Sequence, residues 1–170
     1  VAELDQIREK IPAGDYYEIT GMPLNTTWLL PKILWLRNHE PRNWDKVRKV
    51  IQLQDYTLKA FGADEYVNDI PGAGLTGIWN PYEFCWSRKL LELFAIDPVL
   101  LPRPVASGTQ VGVVSKAAAE QTGFAVGTPL CVGAGDQNSA ITGAGIVQPG
   151  YCSVSLGTGG IVATYLDAAF

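Results

Sequence analysis

The sequence predicts an α/β chain. In its second half, short apolar runs bounded by Gly and Pro alternate with helical stretches that carry their own caps. The first half reads as a succession of amphipathic helices. Hydrophobic residues make up 47% and charged residues 18%, the balance of a globular chain and not of a disordered one.

Taken in order, Leu4 to Ile11 reads as a short amphipathic helix, ended by Pro12 and Gly14. Thr20 to Pro23 is a turn. Thr26 or Thr27 caps a helix through about Asn38, with Pro31 in its first turn. Trp28, Leu30, Ile33, Leu34 and Leu36 form its buried side. Asn43 caps a short helix through Val50, and Val50 to Leu53 leans to strand. Gln54 to Phe61 is helical and stops at Gly62. Asp69 to Trp79 is Gly-rich without a clear period and reads as a loop with one strand. Ser87 caps a helix to Phe94, and Pro98 to Val105 is an extended link. Gly112 to Val114 is a short strand. Ser115 caps a helix through about Thr122, which Gly123 closes. Thr128 to Gly133 is a buried strand, after which Gly135-Asp136 turns into a helix through about Gly145. Tyr151 to Leu156 and Ile161 to Tyr165 form a hairpin around Gly157–Gly160.

The chain has 170 residues, enough for one domain with a core or for parts of two. Its formal net charge of −4 argues against nucleic acid as a partner. Cys85, Cys131 and Cys152 form no CxxC pair, and with His39 as the one histidine there is no zinc set. Reduced, buried cysteines of a cytoplasmic protein are the expected state. No apolar run approaches the roughly 20 residues that span a bilayer, so no membrane partner is expected. The start carries no signal-peptide pattern and no Met, and the last residues stop just after an apolar run. Both ends read as cut from a longer chain.

Asp136 is the first candidate for chemistry. It follows an apolar strand and opens a helix, and Gly133 and Gly135 clear space around it. Ligands of α/β sheets bind at such strand-to-helix turns. The helix N-terminus favours negative charge there, and a rigidly held carboxylate can accept the proton of an attacking hydroxyl. The same pattern also describes a plain helix N-cap, and both readings stay open. Gln137 offers an amide that could hold a sugar hydroxyl beside it. Leu156-Gly-Thr-Gly-Gly160 is a second candidate: small residues at a hairpin let backbone N–H groups reach a polyanion, and Thr158 adds a hydroxyl. A tight turn with glycines at positive φ explains that pattern equally. Gly133-x-Gly135 lacks the third glycine of a dinucleotide fingerprint, since Asn138 stands there, which weakens a dinucleotide-binding oxidoreductase. No P-loop is present. His39 reads as a surface residue in a polar loop. Core packing accounts for most of Trp28, Trp35, Trp44, Trp79 and Trp86.

Several segments, in order, resemble the FGGY family of carbohydrate kinases. Lys32-Ile-Leu-Trp35-Leu-Arg-Asn38-His39 is similar to the second half of the family's N-terminal signature, whose first half fits less well at Thr27 and Leu29. Gln54-Asp55-Tyr56, Trp86-Ser-Arg-Lys-Leu-Leu, Leu100-Leu101-Pro102, Gly112 and Gly127-Thr-Pro129 follow in the family's order. Gly133-x-Gly135-Asp136-Gln137 matches its most specific motif, and Gly157-Thr158-Gly159 its first ATP-contacting loop.

This resemblance implies a ribonuclease-H-like fold of the actin/hexokinase-like ATPase class. The chain would hold residues 1–146 as the second half of the N-terminal sugar-binding domain and residues 147–170 as the start of the C-terminal ATP-binding domain. It implies ATP and Mg2+, Asp136 as general base, Asp136 and Gln137 at the sugar, and Gly157, Thr158 and Gly159 near the phosphates. The partner implied is a small-molecule sugar, and a homodimer is compatible. Gly150 to Gly160 is most like the xylulokinase branch, which implies D-xylulose or a related ketopentose or polyol. Gln137 is instead the residue type of glycerol kinases, while Thr27 stands near where those place a substrate-binding Tyr. The family's Asp-x-Gly-Thr phosphate loop and adenosine site lie outside this stretch, so the chain alone is expected to be inactive. A non-catalytic sugar- or nucleotide-binding member of the same superfold is the alternative.

Overall fold

A computed structural model describes residues 2–157 and 159–167 and divides the chain into two compact units, Val1–Gly133 and Ala134–Phe170. The first unit opens with α1 (Ala2–Lys10), α2 (Ala13–Thr20), α3 (Leu29–His39) and the short α4 (Pro41–Trp44). Acidic Glu3 and Asp5 at the start of α1 and basic Arg8 and Lys10 at its end complement the helix dipole. Pro12, expected only to stop α1, is also the N-cap residue of α2. Tertiary contacts decide this. Tyr16 on α2 is 0% exposed, and its hydroxyl donates to the Gly77 carbonyl at 2.7 Å.

Neither Thr26 nor Thr27 caps α3. Trp28 is the N-cap residue, and the Thr27 N–H and hydroxyl both bond Asn25 Oδ1 at 2.9 Å, an Asx turn. The helix expected from Asn43 to Val50 is instead α4, begun by Pro41 in its first turn. Val50 leaves it to donate its N–H to the Leu100 carbonyl.

Next comes α5 (Leu53–Phe61), whose start is a capping box: the Gln52 side chain accepts from the Asp55 N–H, and Asp55 accepts from the Gln52 N–H. It ends at Gly62, which has φ +127. A Cβ there would lie 2.5 Å from the Val113 carbonyl oxygen and 2.9 Å from the Ser115 nitrogen. Both neighbours are backbone and cannot step aside. Gly62→Ala is therefore expected to destabilise the protein by about 1–3 kcal/mol, read from urea unfolding. A loss under a few tenths of that would contradict the close approach.

The stretch read as a loop holds two strands and a helix: β1 (Val67–Asp69), α6 (Ile70–Gly74) and β2 (Trp79–Asn80), the last paired antiparallel with β3 (Cys85–Trp86). Asp69 caps α6 by accepting the Gly72 N–H at 2.8 Å. The expected extended link contains a 3-10 turn, Pro98–Leu100, and β4 (Arg103–Val105), which pairs in parallel with β1. Between them, α7 (Arg88–Leu93) is capped as expected: Ser87 is buried and its hydroxyl accepts the Leu90 N–H at 3.3 Å. Ser87→Ala leaves that donor without its cap, and a loss of about 0.5–2 kcal/mol is expected in the same measurement. Then β5 (Gln110–Val113) and β6 (Pro129–Cys131) pair antiparallel around α8 (Lys116–Thr122), which Ser115 caps and Gly123 closes.

Two hydrophobic clusters hold this unit. One joins α1, α2, α3 and α7 through Ile7, Tyr16, Leu30, Leu34, Leu90 and Phe94. The other gathers Ala63, Val67, Val105, Val111 and Val132 around the paired strands. Trp79 is buried, while Trp35 is 49% exposed and stacks on His39. His39 itself ends α3 and pairs with buried Glu3 at 3.0 Å. The strand over Thr128–Gly133 is less buried than its sequence suggests. Pro129 and Cys131 are exposed, because β6 pairs on one edge only among the described residues. The cysteines follow: all three are free, Cys131 and Cys152 exposed and Cys85 half-buried.

The second unit contains α9 (Asp136–Gly143) and a hairpin of β7 (Cys152–Leu156) and β8 (Gly160–Thr164), in register from Cys152↔Thr164 to Leu156↔Gly160. Among the described residues no helix is long and apolar enough to cross a membrane.

Candidate functional site

The chain leaves β6 through Val132, which is buried, and enters α9 after Gly133, Ala134 and Gly135. Gly135 is the N-cap residue of α9 and offers no side-chain cap. Asp136 is the first helical residue, so the N-cap reading is corrected by one position. Its Oδ1 accepts the N–H of the next residue, Gln137, at 2.8 Å. Among the described residues Oδ2 has no donor. The carboxylate is exposed at the positive end of an eight-residue helix, with one oxygen tethered and one available. An Asp so held can orient a hydroxyl and take its proton. Gln137 is half-buried, and its amide makes no side-chain hydrogen bond among the described residues.

The other candidates lie at the tip of the β7–β8 hairpin. Gly157 donates its N–H to the Gly159 carbonyl at 3.1 Å. Among the described residues beyond their chain neighbours, no atom lies within 4 Å of where a Cβ would stand at either glycine, and Gly157 is not in the left-handed region. A strained turn therefore does not demand glycine at position 157, whereas a close approach to the bare backbone would. Thr158 lies outside the described residues. Among the described residues no three His, Cys, Asp or Glu side chains converge as a metal site.

The first unit holds features that sequence reading passed over. A groove of about 260 Å3 is lined by Thr27, Trp28, Leu29, Lys32, Gln52 and Leu75. Behind Gln52 stands a buried polar junction of Asp55, Asn68 and Asp69, at 0%, 1% and 2% exposure. Asn68 donates to Asp55 Oδ1 at 2.7 Å, and Gln52 reaches across to donate to the Gly72 carbonyl at 2.9 Å. Burial pushes the Asp55 carboxyl above its ordinary range, against the two hydrogen bonds it accepts; nearby Asp69 adds to the rise. In the sequence, Asp55 stood out within Gln54-Asp55-Tyr56, and the spacing Gln52-x-x-Asp55 could have marked the capping box.

Comparison with known proteins gives a consistent picture. The model of the FGGY family of carbohydrate kinases, N-terminal domain, matches residues 1–143. The autoinducer-2 kinase of Klebsiella pneumoniae subsp. pneumoniae is 32% identical over 158 residues, covering 93% of this chain and 29% of that protein. The xylulose kinase of Rhodospirillum rubrum superposes with a TM-score of 0.86 at 25% identity, over 95% of this chain and 33% of that one. The gluconate kinase of Lactobacillus acidophilus superposes with a TM-score of 0.89 at 23% identity, over 98% and 34%. The chain thus spans about a third of the length of the relatives it matches. Its α/β fold is part of the N-terminal domain of such kinases, whose folds are of the actin/hexokinase-like ATPase class. On the extent of the family match, the chain belongs to the FGGY family of carbohydrate kinases.

Proposed function

We propose that the protein carrying this chain transfers the γ-phosphoryl group of ATP to a terminal hydroxyl of a sugar or polyol, with Asp136 as the general base. The observation that carries this reading is the free Oδ2 of an exposed aspartate fixed at the first position of α9. In the proposed step the substrate hydroxyl donates its proton to Asp136 as its oxygen attacks the γ-phosphorus. The bond to the β-phosphate oxygen breaks, and ADP and a sugar phosphate result. Gln137 holds a neighbouring hydroxyl, and the bare backbone at Gly157 and Gly159, together with Thr158, lies near the phosphates. The work is positioning and charge stabilisation.

Mg2+ accompanies ATP in such chemistry and would neutralise phosphate charge. Among the described residues no three His, Cys, Asp or Glu side chains converge, so phosphate oxygens would supply most of its ligands. The division into a sugar-binding domain over residues 1–146 and an ATP-binding domain from residue 147 belongs to the same proposal, as does a cytoplasmic setting.

D-xylulose or a related ketopentose or polyol is the first substrate proposed, on the likeness of Gly150 to Gly160 to the xylulokinase branch. One observation favours a second: the autoinducer-2 kinases are 30–32% identical to this chain, above the 25% of the xylulose kinase. The deciding experiment measures ADP release by the full-length protein with ATP and D-xylulose, other ketopentoses, polyols, glycerol, gluconate or autoinducer-2. Sugar-dependent turnover supports the kinase and names its substrate. Binding of sugar or ATP without turnover of any compound would support the non-catalytic alternative.

A further inference from the structure

The groove beside the start of α3 has a balance of polar groups that favours one kind of ligand. It encloses about 260 Å3 between Thr27, Trp28, Leu29, Lys32, Gln52 and Leu75. Much of the hydrogen-bonding capacity of this lining is already spent. The Trp28 indole N–H donates to the Pro23 carbonyl at 2.6 Å, which fixes the ring. The Leu29 and Leu30 N–H groups both donate to the Thr76 carbonyl. The Gln52 Oε1 accepts the Asp55 N–H and the Gln54 amide, and the Thr27 hydroxyl donates to Asn25 Oδ1.

What is left is chiefly donors. The Lys32 ammonium carries three N–H groups and, among the described residues, gives one, to the Thr27 carbonyl at 2.6 Å. The Gln52 Nε2 carries two and gives one, to the Gly72 carbonyl at 2.9 Å. On the acceptor side stand the lone pairs of the Thr27 hydroxyl. No carboxylate lines the groove: Asp55 and Asp69 are buried behind Gln52, and Lys32 joins no ion pair among the described residues. Lys32 is also the fourth residue of α3, near the helix end whose dipole favours anions, so its charge gains nothing from its own helix. Trp28 and Leu75 add the apolar walls usual in a small-molecule site.

We propose that this groove binds a sugar anion, a short polyol chain ending in a carboxylate or a phosphate ester, with the anionic group at Lys32 and the chain across Trp28 and Leu75. A hydroxyl must also place its own proton, whereas an anion only accepts, which is what the remaining donors serve. Hydrogen bonds to a charged acceptor are about twice as strong as neutral ones. A carboxylate therefore gains over a hydroxymethyl group at the same end of the chain. A sugar acid and a phosphorylated sugar present this same chemistry to Lys32. Binding here needs no nucleotide, and it stands whether or not Asp136 is a general base.

The test is calorimetric binding to the full-length protein without nucleotide. Xylitol is compared with D-xylonate, in which a carboxylate replaces one terminal hydroxymethyl, and with D-xylulose phosphate. Wild type is expected to bind at least one of the anions about tenfold tighter than xylitol. Lys32→Met should remove that preference while xylitol binding stays within a few-fold, and Lys32→Arg should retain it. Acetylation of Lys32, followed by mass spectrometry, should slow when the anion is bound, which locates the site. Tighter binding of D-xylonate marks a sugar acid as the ligand, and tighter binding of the phosphate marks a phosphorylated sugar. Leu75→Trp fills the groove, so it should weaken anion binding and expose Lys32 to acetylation again; it carries the test if Lys32→Met does not fold. Anions that bind no tighter than xylitol would overturn the proposal. So would a preference that survives Lys32→Met, or anion binding that Leu75→Trp leaves unchanged.

Discussion

Asp136→Asn in the full-length protein is expected to lower kcat by about 10²–10⁴, the usual worth of a general base, while sugar binding changes by no more than a few-fold. Asn keeps the shape of the side chain, and its carbonyl can still accept the Gln137 N–H that tethers Oδ1 at 2.8 Å. The substitution removes the negative charge and the basic oxygen at the start of α9 and little else. An effect confined to kcat, with KM nearly constant, marks an interaction made chiefly in the transition state. The assay is steady-state phosphorylation beside calorimetric sugar binding. A variant within a few-fold of wild type would remove the role given to Asp136.

The second large effect is structural. Trp79→Ala is expected to destabilise the protein by about 3–5 kcal/mol. Trp79 is 2% exposed and lies opposite Trp86 in the β2–β3 pair, with the rings edge-to-face at 5.3 Å. Deleting it opens a large cavity and leaves Trp86 without its partner. The control is Trp35→Ala, expected to cost about 1 kcal/mol or less, since Trp35 is half exposed and stacks on the half-exposed His39. Urea unfolding followed by circular dichroism separates the two. Equal losses would contradict the burial that distinguishes them.

The contrast between these tryptophans shows where sequence reading reached its limit. Trp28 and Trp35 sit at core spacing on one helix, yet it is Trp79, in a stretch without any period, that is fully buried. Local chemistry was legible at some single residues: Ser87 and Ser115 cap α7 and α8, and Gly62 and Gly123 close α5 and α8, whereas the caps expected at Thr26 or Thr27 and at Asn43 are not formed. The position of Asp136 at a strand-to-helix turn was legible for the same reason. Long-range partners were not. β1 is three residues long and includes Asn68 and Asp69, and its parallel partner β4 lies some thirty-odd residues away. Neither strand carries an alternating pattern, so only tertiary pairing reveals them. α2 was hidden because Pro12 and Gly14 signal a stop, and the anchor that overrides them is the Tyr16 bond to Gly77, far along the chain. The Asp55–Asn68 junction joins two helix- and strand-borne residues by the same kind of contact. The family resemblance, by contrast, rested on motif order and was legible over most of the chain.

The most direct test of the central claim follows the phosphoryl group itself. Phosphorus NMR of the full-length protein with ATP and the sugar identified in the substrate panel is run for wild type and Asp136→Asn side by side. Growth of a phosphate-ester signal with wild type, matched by ADP and slowed by about 10²-fold or more in the variant, is the predicted result. ADP appearing with inorganic phosphate and no ester, or the ester forming equally fast in both proteins, would contradict it.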